Sequence, residues 1–229
     1  AEDEMMPGDD VYFVVASDQC ERAMSAFGHE EPETRRCVIF GGGNIGLFLA
    51  EELERKHKEI NVKIIELSRP RAEHVAATLN NTVVINGSIL EPEIMLEAGV
   101  DKAETVVAVT DDDENNILAS LLAKKNGAQR AITLINKSTY NPLMGPLGVD
   151  VVVNPRSITV SQILSHVRRG RVHSVYSVQE DFGELIEADA METSSLVGKP
   201  LKEVNLPNDA RFGAILRNGQ VIVPRPQTV

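Results

Sequence analysis

The run Gly41-Gly42-Gly43-Asn44-Ile45-Gly46 lies between an apolar stretch, Arg36 to Phe40, and a segment whose apolar residues Ile45, Leu49 and Leu53 recur at helical spacing. It matches G-x-G-x-x-G in the strand-turn-helix setting that gives the pattern physical content. The first glycine permits the tight turn, the second lets backbone approach a pyrophosphate, and the third lets helix and strand pack closely. The helix start then offers unpaired N–H groups and a positive dipole end to an anion. A glycine-rich turn with no ligand is the competing reading of the same residues.

The pattern on either side decides what that turn belongs to. Short apolar runs are predicted as strands at 36–40, 62–65, 82–85, 105–109, 131–135 and 151–153. Helical stretches are predicted between and after them at 44–58, 70–79, 92–98, 113–126, 140–147 (helix or turn) and 157–169. Strands that are apolar on both faces, each followed by a helix, form a mostly parallel sheet covered on both sides. The fold class is therefore α/β, a Rossmann-like doubly wound parallel sheet over residues 35–170, with a second, smaller β-rich module at 172–229. In that module the dipeptide Asn218-Gly219, between Ala214-Ile215-Leu216 and Val221-Ile222-Val223, predicts a hairpin. Further turns are expected at Asp181-Phe182-Gly183, Val197-Gly198 and Pro207-Asn208-Asp209. Residues 1–30 read as a turn at Pro7-Gly8-Asp9-Asp10, a strand over Val11 to Ala16 and a helix stopped by Gly28, and residues 29–34 read as a linker. One strand and one helix cannot enclose a core, so this segment must pack on another part.

Composition narrows the function. The formal charge of -11 disfavours a phosphate-backbone partner, and the lack of Trp with 4% aromatic content disfavours a stacking surface for single strands, so no nucleic-acid role is expected. Two cysteines, Cys20 and Cys37, are too few for a disulfide framework or a zinc cluster, and Cys37 lies in an apolar run as a reduced core residue. No apolar stretch reaches the roughly 20 residues of a membrane span, and no signal peptide is apparent. The chain starts at Ala1 without an initiator Met, as expected of a processed end or a cut fragment.

The chemistry-bearing residues gather at the ends of the predicted strands. Glu66 follows Gly46 by 20 residues at the end of the second strand, where an acid accepts hydrogen bonds from ribose hydroxyls and repels a 2′-phosphate, favouring NAD over NADP. A solvated strand-end acid is the alternative. Arg69 and Arg71 either contact a phosphate or are surface charges. Asn86-Gly87-Ser88 follows the third strand, either beside the adenine or as a simple capped turn. Thr110-Asp111-Asp112-Asp113-Glu114-Asn115-Asn116 reads foremost as a helix start favoured by acids, with Thr110 next to the nucleotide in the functional reading. A metal site there is a weak alternative, since the spacing fits no known loop. Arg168, Arg169 and Arg171 complement a helix C-terminus. The candidate nucleotide contacts are Gly41, Gly43, Asn44, Ile45, Gly46, Glu66, Leu67, Arg69, Gly87, Ser88 and Thr110, with no catalytic or metal-ligating residue among them. His29, His57, His74, His166 and His173 are scattered, and no Tyr-x-x-x-Lys occurs, because Met144 and Glu180 stand four residues after Tyr140 and Tyr176.

The stretch from Arg36 to Gly46, and that from Asp101 to Asn116 with its Thr110 and acidic turn, resemble an RCK (regulator of potassium conductance, or KTN) domain. Nearly the whole chain is similar to the C-terminal half of a tandem-copy member of that family, a regulatory subunit of Trk-type potassium uptake systems. The resemblance implies that residues 1–30 are the end of a preceding RCK C-terminal domain, 35–170 a Rossmann-type nucleotide-binding domain, and 172–229 an RCK C-terminal domain cut before its closing strand and helix. It further implies that residues 7–28 dock on the open edge of 172–229, in the same chain or a neighbour. The implied role is a switch gated by NAD or NADH, or by ATP or ADP. The implied partners are a membrane-embedded potassium transporter and further copies of the chain, as a dimer or tetramer. The implied location is cytoplasmic, peripheral at the inner face of the membrane. Asn86-Gly87-Ser88 stands where RCK domains often carry Gly-Asp, which leaves the base contacts open. An NAD-dependent oxidoreductase and a ligand-independent scaffold are the rival readings, since many dehydrogenases share the fingerprint.

Overall fold

Cys37 and Ile39 face one side of their strand and Val38 and Phe40 the other, and all four are buried. A strand apolar on both faces needs cover on both, which the helices supply. The computed structural model describes residues 5–6, 11, 13–16, 19–28, 33–167, 172–178, 183–194, 196–207 and 210–228. The chain separates into two units, Pro32–Gly170 with Ser174–Ile186, and Ala1–Glu31 with Arg171–His173 and Glu187–Val229.

In the larger unit, β1 (Arg36–Phe40), α2 (Asn44–Lys56), β2 (Asn61–Glu66), α3 (Arg69–Thr78), β3 (Val83–Asn86), α4 (Pro92–Ala98), β4 (Thr105–Ala108), α5 (Asp113–Lys125), β5 (Arg130–Leu134), α6 (Asn141–Leu147), β6 (Val151–Val153) and α7 (Pro155–Val167) alternate in chain order. The sheet order is β3-β2-β1-β4-β5-β6, and every neighbouring pair is parallel. This is the doubly wound arrangement expected from the sequence. Chain order reverses between β1 and β4, which opens a crevice at their carboxyl ends.

The period-two alternation of the strands sorts the core into two layers. Val38, Phe40, Ile65, Val106 and Ala108 pack with Met95, Ala98, Ala119 and Ala123 from α4 and α5. Cys37, Ile39, Val62, Ile64 and Val107 pack with Ala50, Val75 and Leu79. A third cluster, Ile135, Met144 and Val149, seats α6. Small residues on α5, Ala119, Ser120 and Ala123, let it approach the sheet, and Ser120 shares a 2.7 Å hydrogen bond with Thr133 of β5. The α3–β3 connection is fixed by Glu54 of α2, whose carboxylate accepts from the backbone N–H groups of Asn80, Asn81 and Thr82 and from the Thr82 hydroxyl.

In the smaller unit, α1 (Cys20–Ala26) ends at Phe27, whose ring stacks on Phe13 with centroids 4.9 Å apart. Residues 11 and 13–16 carry no strand, unlike the expectation. Their apolar pattern is strand-like, but a strand exists only where a neighbour pairs its backbone. Val11, Phe13 and Val14 remain exposed, and a Cβ on Gly213 would stand 3.5 Å from Cγ2 of Val14. The hairpin of β9 (Ile215–Arg217) and β10 (Gln220–Ile222) is antiparallel. Asn218 and Gly219 both have positive φ, 51° and 77°, as a two-residue turn matched to strand twist requires. Strands β7 (Val172–Val178) and β8 (Gly183–Ala188), most of whose residues belong to the larger unit, form a two-stranded sheet. The expectations for Pro7 to Asp10, for Arg168, Arg169 and Arg171, for the linker at 29–32, and for the turns at Asp181-Phe182 and Asn208-Asp209 fall outside the described residues. Among the described residues, no helix is long and apolar enough to cross a membrane.

Cys37 is buried and desolvation pushes its thiol up to about 12, whereas Cys20 is exposed. Titration of the native protein with a chromogenic disulfide reagent at pH 8 is expected to modify Cys20 promptly and Cys37 only after denaturant is added.

Candidate nucleotide-binding site

The strand-to-helix turn is built on contacts that only glycine allows at two positions. A Cβ on Gly46 would stand 2.0 Å from the carbonyl oxygen of Gly41, so the start of α2 rests directly on the end of β1. Gly41 itself has φ +101°, and a Cβ there would press against the backbone and methyl of Thr110 at 3.0–3.1 Å. Gly43 differs, because a Cβ on it would meet nothing within 4 Å and would project into open space. These are the three separate duties that the fingerprint assigns to its glycines.

Glu66 closes the turn from β2. One carboxylate oxygen accepts from the N–H of Gly42 at 2.7 Å and the other from the N–H of Ser68 at 2.8 Å. An ionised carboxylate has about four acceptor sites, of which these two donors use about half. The backbone supports the placement, since Gly41 N–H donates to Ile65 O and Gly87 N–H to Glu66 O.

Thr110 forms the opposite wall and is held by Asn116. The Asn116 Oδ1 accepts from both the N–H and the hydroxyl of Thr110, at 2.9 and 2.6 Å. Its Nδ2 donates to Thr110 O and, across the sheet, to Leu134 O. This fully buried amide is thereby satisfied on both sides and ties the ends of β4 and β5 together.

The acids after Thr110 divide into separate tasks. Asp112 caps α5 by accepting from Asn115 N–H at 2.7 Å. Asp113 is buried and accepts from the backbone N–H groups of Asn136 and Lys137 and from the Asn136 side chain. Burial alone would push its pKa up, but these donors outweigh burial and hold it below the ordinary aspartate value. Glu114 accepts from Lys137 and from the Tyr140 hydroxyl, which bring its pKa down to about 2. Asp111 alone of these four faces the cleft. Among the described residues, no group of three or more His, Cys, Asp or Glu is placed to hold a metal ion.

Between these walls lies a cleft of about 750 Å³ at the carboxyl ends of β1, β2 and β4. Of the sequence-predicted contacts, Gly41, Gly43, Asn44, Glu66, Leu67, Ser88 and Thr110 line it. Gly46 shapes the turn from behind, while the Ile45 side chain is exposed outside the lining set. Gly87 packs against Ile94, where a Cβ would come within 2.7 Å of Cδ1. Asn86 donates to the carbonyls of Glu66 and Leu67 and so pins the end of β2. Arg69 points elsewhere and pairs with Glu73, one turn along α3, at 3.0 Å. Arg71 takes the position facing the turn. Ser68, Ile89, Leu90 and Asn115 also line the cleft, and only their place after strand ends could have signalled it.

A doubly wound sheet with a glycine turn, a strand-end acid and a cleft at the switch point defines a Rossmann-type dinucleotide-binding domain. The chain belongs to the TrkA-N domain family, whose model matches residues 37–155, and the TrkA-C domain model matches residues 185–229. The Trk system potassium uptake protein TrkA of Azorhizobium caulinodans is 48% identical over 227 residues, covering 99% of this chain and 50% of the relative. Its namesake from Vibrio alginolyticus is 37% identical over 224 residues, covering 96% and 48%. The chain thus spans about half the length of the curated relatives it matches. The same fold occurs in the GsuK channel bound to NAD (TM-score 0.59, 16% identity, 91% of this chain and 39% of that one). It also occurs in the TrkA-N domain of the inner membrane protein ybaL from Escherichia coli (TM-score 0.53, 18% identity, 59% and 98%).

Two outcomes test this geometry. Asn116→Ala leaves Thr110 and the Leu134 carbonyl without their buried partner and is expected to destabilise the protein by about 1–3 kcal/mol, read as a lowered melting temperature. Asp113→Asn is expected to cost a similar amount at neutral pH. Because the folded-state pKa of Asp113 is depressed, its contribution is complete above the unfolded value of about 3.9 and disappears as pH falls through the folded value. Melting curves of wild type and Asp113→Asn should therefore differ most near pH 7 and converge in acid.

Proposed function

We propose that the cleft binds an adenine nucleotide, NAD or NADH foremost with ATP and ADP as competitors, and that occupancy regulates a potassium uptake transporter. The observation that carries the reading is the alignment of three elements on one cleft. These are the turn at Gly41 to Gly46 with open space at Gly43, the Glu66 carboxylate with acceptor capacity left for a ribose, and Thr110 on the facing wall. The NAD carried by the structurally similar GsuK channel supports the choice of ligand. The naming of the relatives as Trk system potassium uptake proteins supports the transport role.

The role is regulatory rather than catalytic in this reading. No His, Cys, Lys or Tyr is among the described residues lining the cleft, so hydride chemistry on a substrate would lack its usual proton donor. Regulation follows if the nucleotide favours one arrangement of paired copies and a membrane-embedded partner senses the difference. Homo-oligomers, dimeric or tetrameric, held at the cytoplasmic face of the membrane through that partner complete the proposal.

Calorimetric titration with NADH, NAD, ATP and ADP tests the binding step. Saturable binding is expected for wild type and is expected to be lost in Glu66→Ala, which removes the ribose acceptor, and in Gly43→Val, which fills the approach to the turn. A folded wild-type protein that binds none of the four refutes the reading.

A further inference from the structure

We propose that Arg71 reads the phosphate charge of the bound nucleotide, an inference that rests on the nucleotide-binding role of the cleft. Arg71 lies in the first turn of α3, half-buried, and is the one basic side chain among the described residues lining the cleft. Its Nε donates to the carbonyl oxygen of Gly42 at 2.6 Å, and its Nη2 donates to Oδ1 of Asn44 at 3.3 Å. Both partners belong to the glycine turn, so the guanidinium lies beside the backbone that a pyrophosphate approaches.

The partners are also neutral. Arg36, Arg55 and Arg69 each pair with a carboxylate, and Lys124 and Lys137 do the same. The nearest acid of the turn, Glu66, directs its two oxygens to the N–H groups of Gly42 and Ser68. The positive charge of Arg71 is thus steered to the site by two oxygens without being neutralised by them. A phosphate supplies the missing countercharge, and the planar fork of the guanidinium suits its oxygens better than an ammonium would. The carboxylates of Glu66 and Asp111 also face this cleft, so a ligand bearing phosphates needs a local cation to offset their repulsion.

The inference makes selectivity depend on ligand charge. In wild type, ADP is expected to bind more tightly than adenosine. In Arg71→Gln, ADP affinity is expected to fall by about 10- to 100-fold, the range for a charged hydrogen bond, while adenosine affinity changes little. Arg71→Lys keeps the charge without the fork and is expected to fall between the two. Arginine-labelled wild-type protein gives a second measurement that does not depend on a variant folding. The Nε–H resonance of Arg71 is expected to shift on addition of ADP and to stay in place with adenosine. Equal ADP affinity in wild type and folded Arg71→Gln, or an Arg71 resonance unmoved by saturating ADP, overturns the assignment and leaves the nucleotide site standing. Failure of folded wild type to bind ADP overturns the assignment, and failure to bind NADH, NAD and ATP as well overturns both.

Discussion

The carbonyl oxygen of Gly41 lies where a side chain at position 46 would have to begin, 2.0 Å from the ideal Cβ. The obstacle is backbone, so no rotamer change relieves it, and only hydrogen at that position lets α2 sit at the end of β1. The remaining geometry of the site follows from that contact. With α2 seated, Gly43 and Asn44 at its start line the crevice where chain order reverses. The turn then presents Gly42 N–H to Glu66 on one side and brings Gly41 against Thr110 on the other. A larger residue at 46 would displace the helix and with it the geometry of both walls.

The sheet was legible because each strand is a short run of apolar residues bounded by turn chemistry, and each helix shows its own spacing. The order 3-2-1-4-5-6 follows from parallel strands joined by crossovers of one hand. The hairpin at Asn218-Gly219 was legible for a local reason too, since a turn requiring positive φ at two successive residues selects those two types. The run at 11–16 was misread because strand formation is decided by a partner that the run itself does not specify. Its apolar residues Val11, Phe13 and Val14 stay exposed, although Phe13 stacks on Phe27.

Within the site, the two arginines of α3 part company: Arg69, a candidate contact, pairs with Glu73 four residues along the same helix, whereas Arg71 meets Gly42 across 29 positions of chain. The acidic run 111–114 looks uniform in sequence because its distinguishing partners, Asn136, Lys137 and Tyr140, come from beyond the next strand. Composition explains that these charges are tolerated, but only the fold assigns one to a cap, one to a buried acceptor, one to a surface pair and one to the cleft.

The saturated amide of Asn116 gives the cleft two walls of unequal compliance. On the β4 side, Thr110 is fixed by three hydrogen bonds to and from one buried group, which a fourth anchors to β5, so displacement there would disrupt two strands at once. On the β2 side, the corresponding hold is a carboxylate and a guanidinium reaching backbone atoms, both on side chains with several rotatable bonds. Under the proposed binding role, a ligand that does not fit the resting gap is therefore expected to displace α3 and the glycine turn. The β4–α5 wall acts as the fixed reference against which that movement is measured.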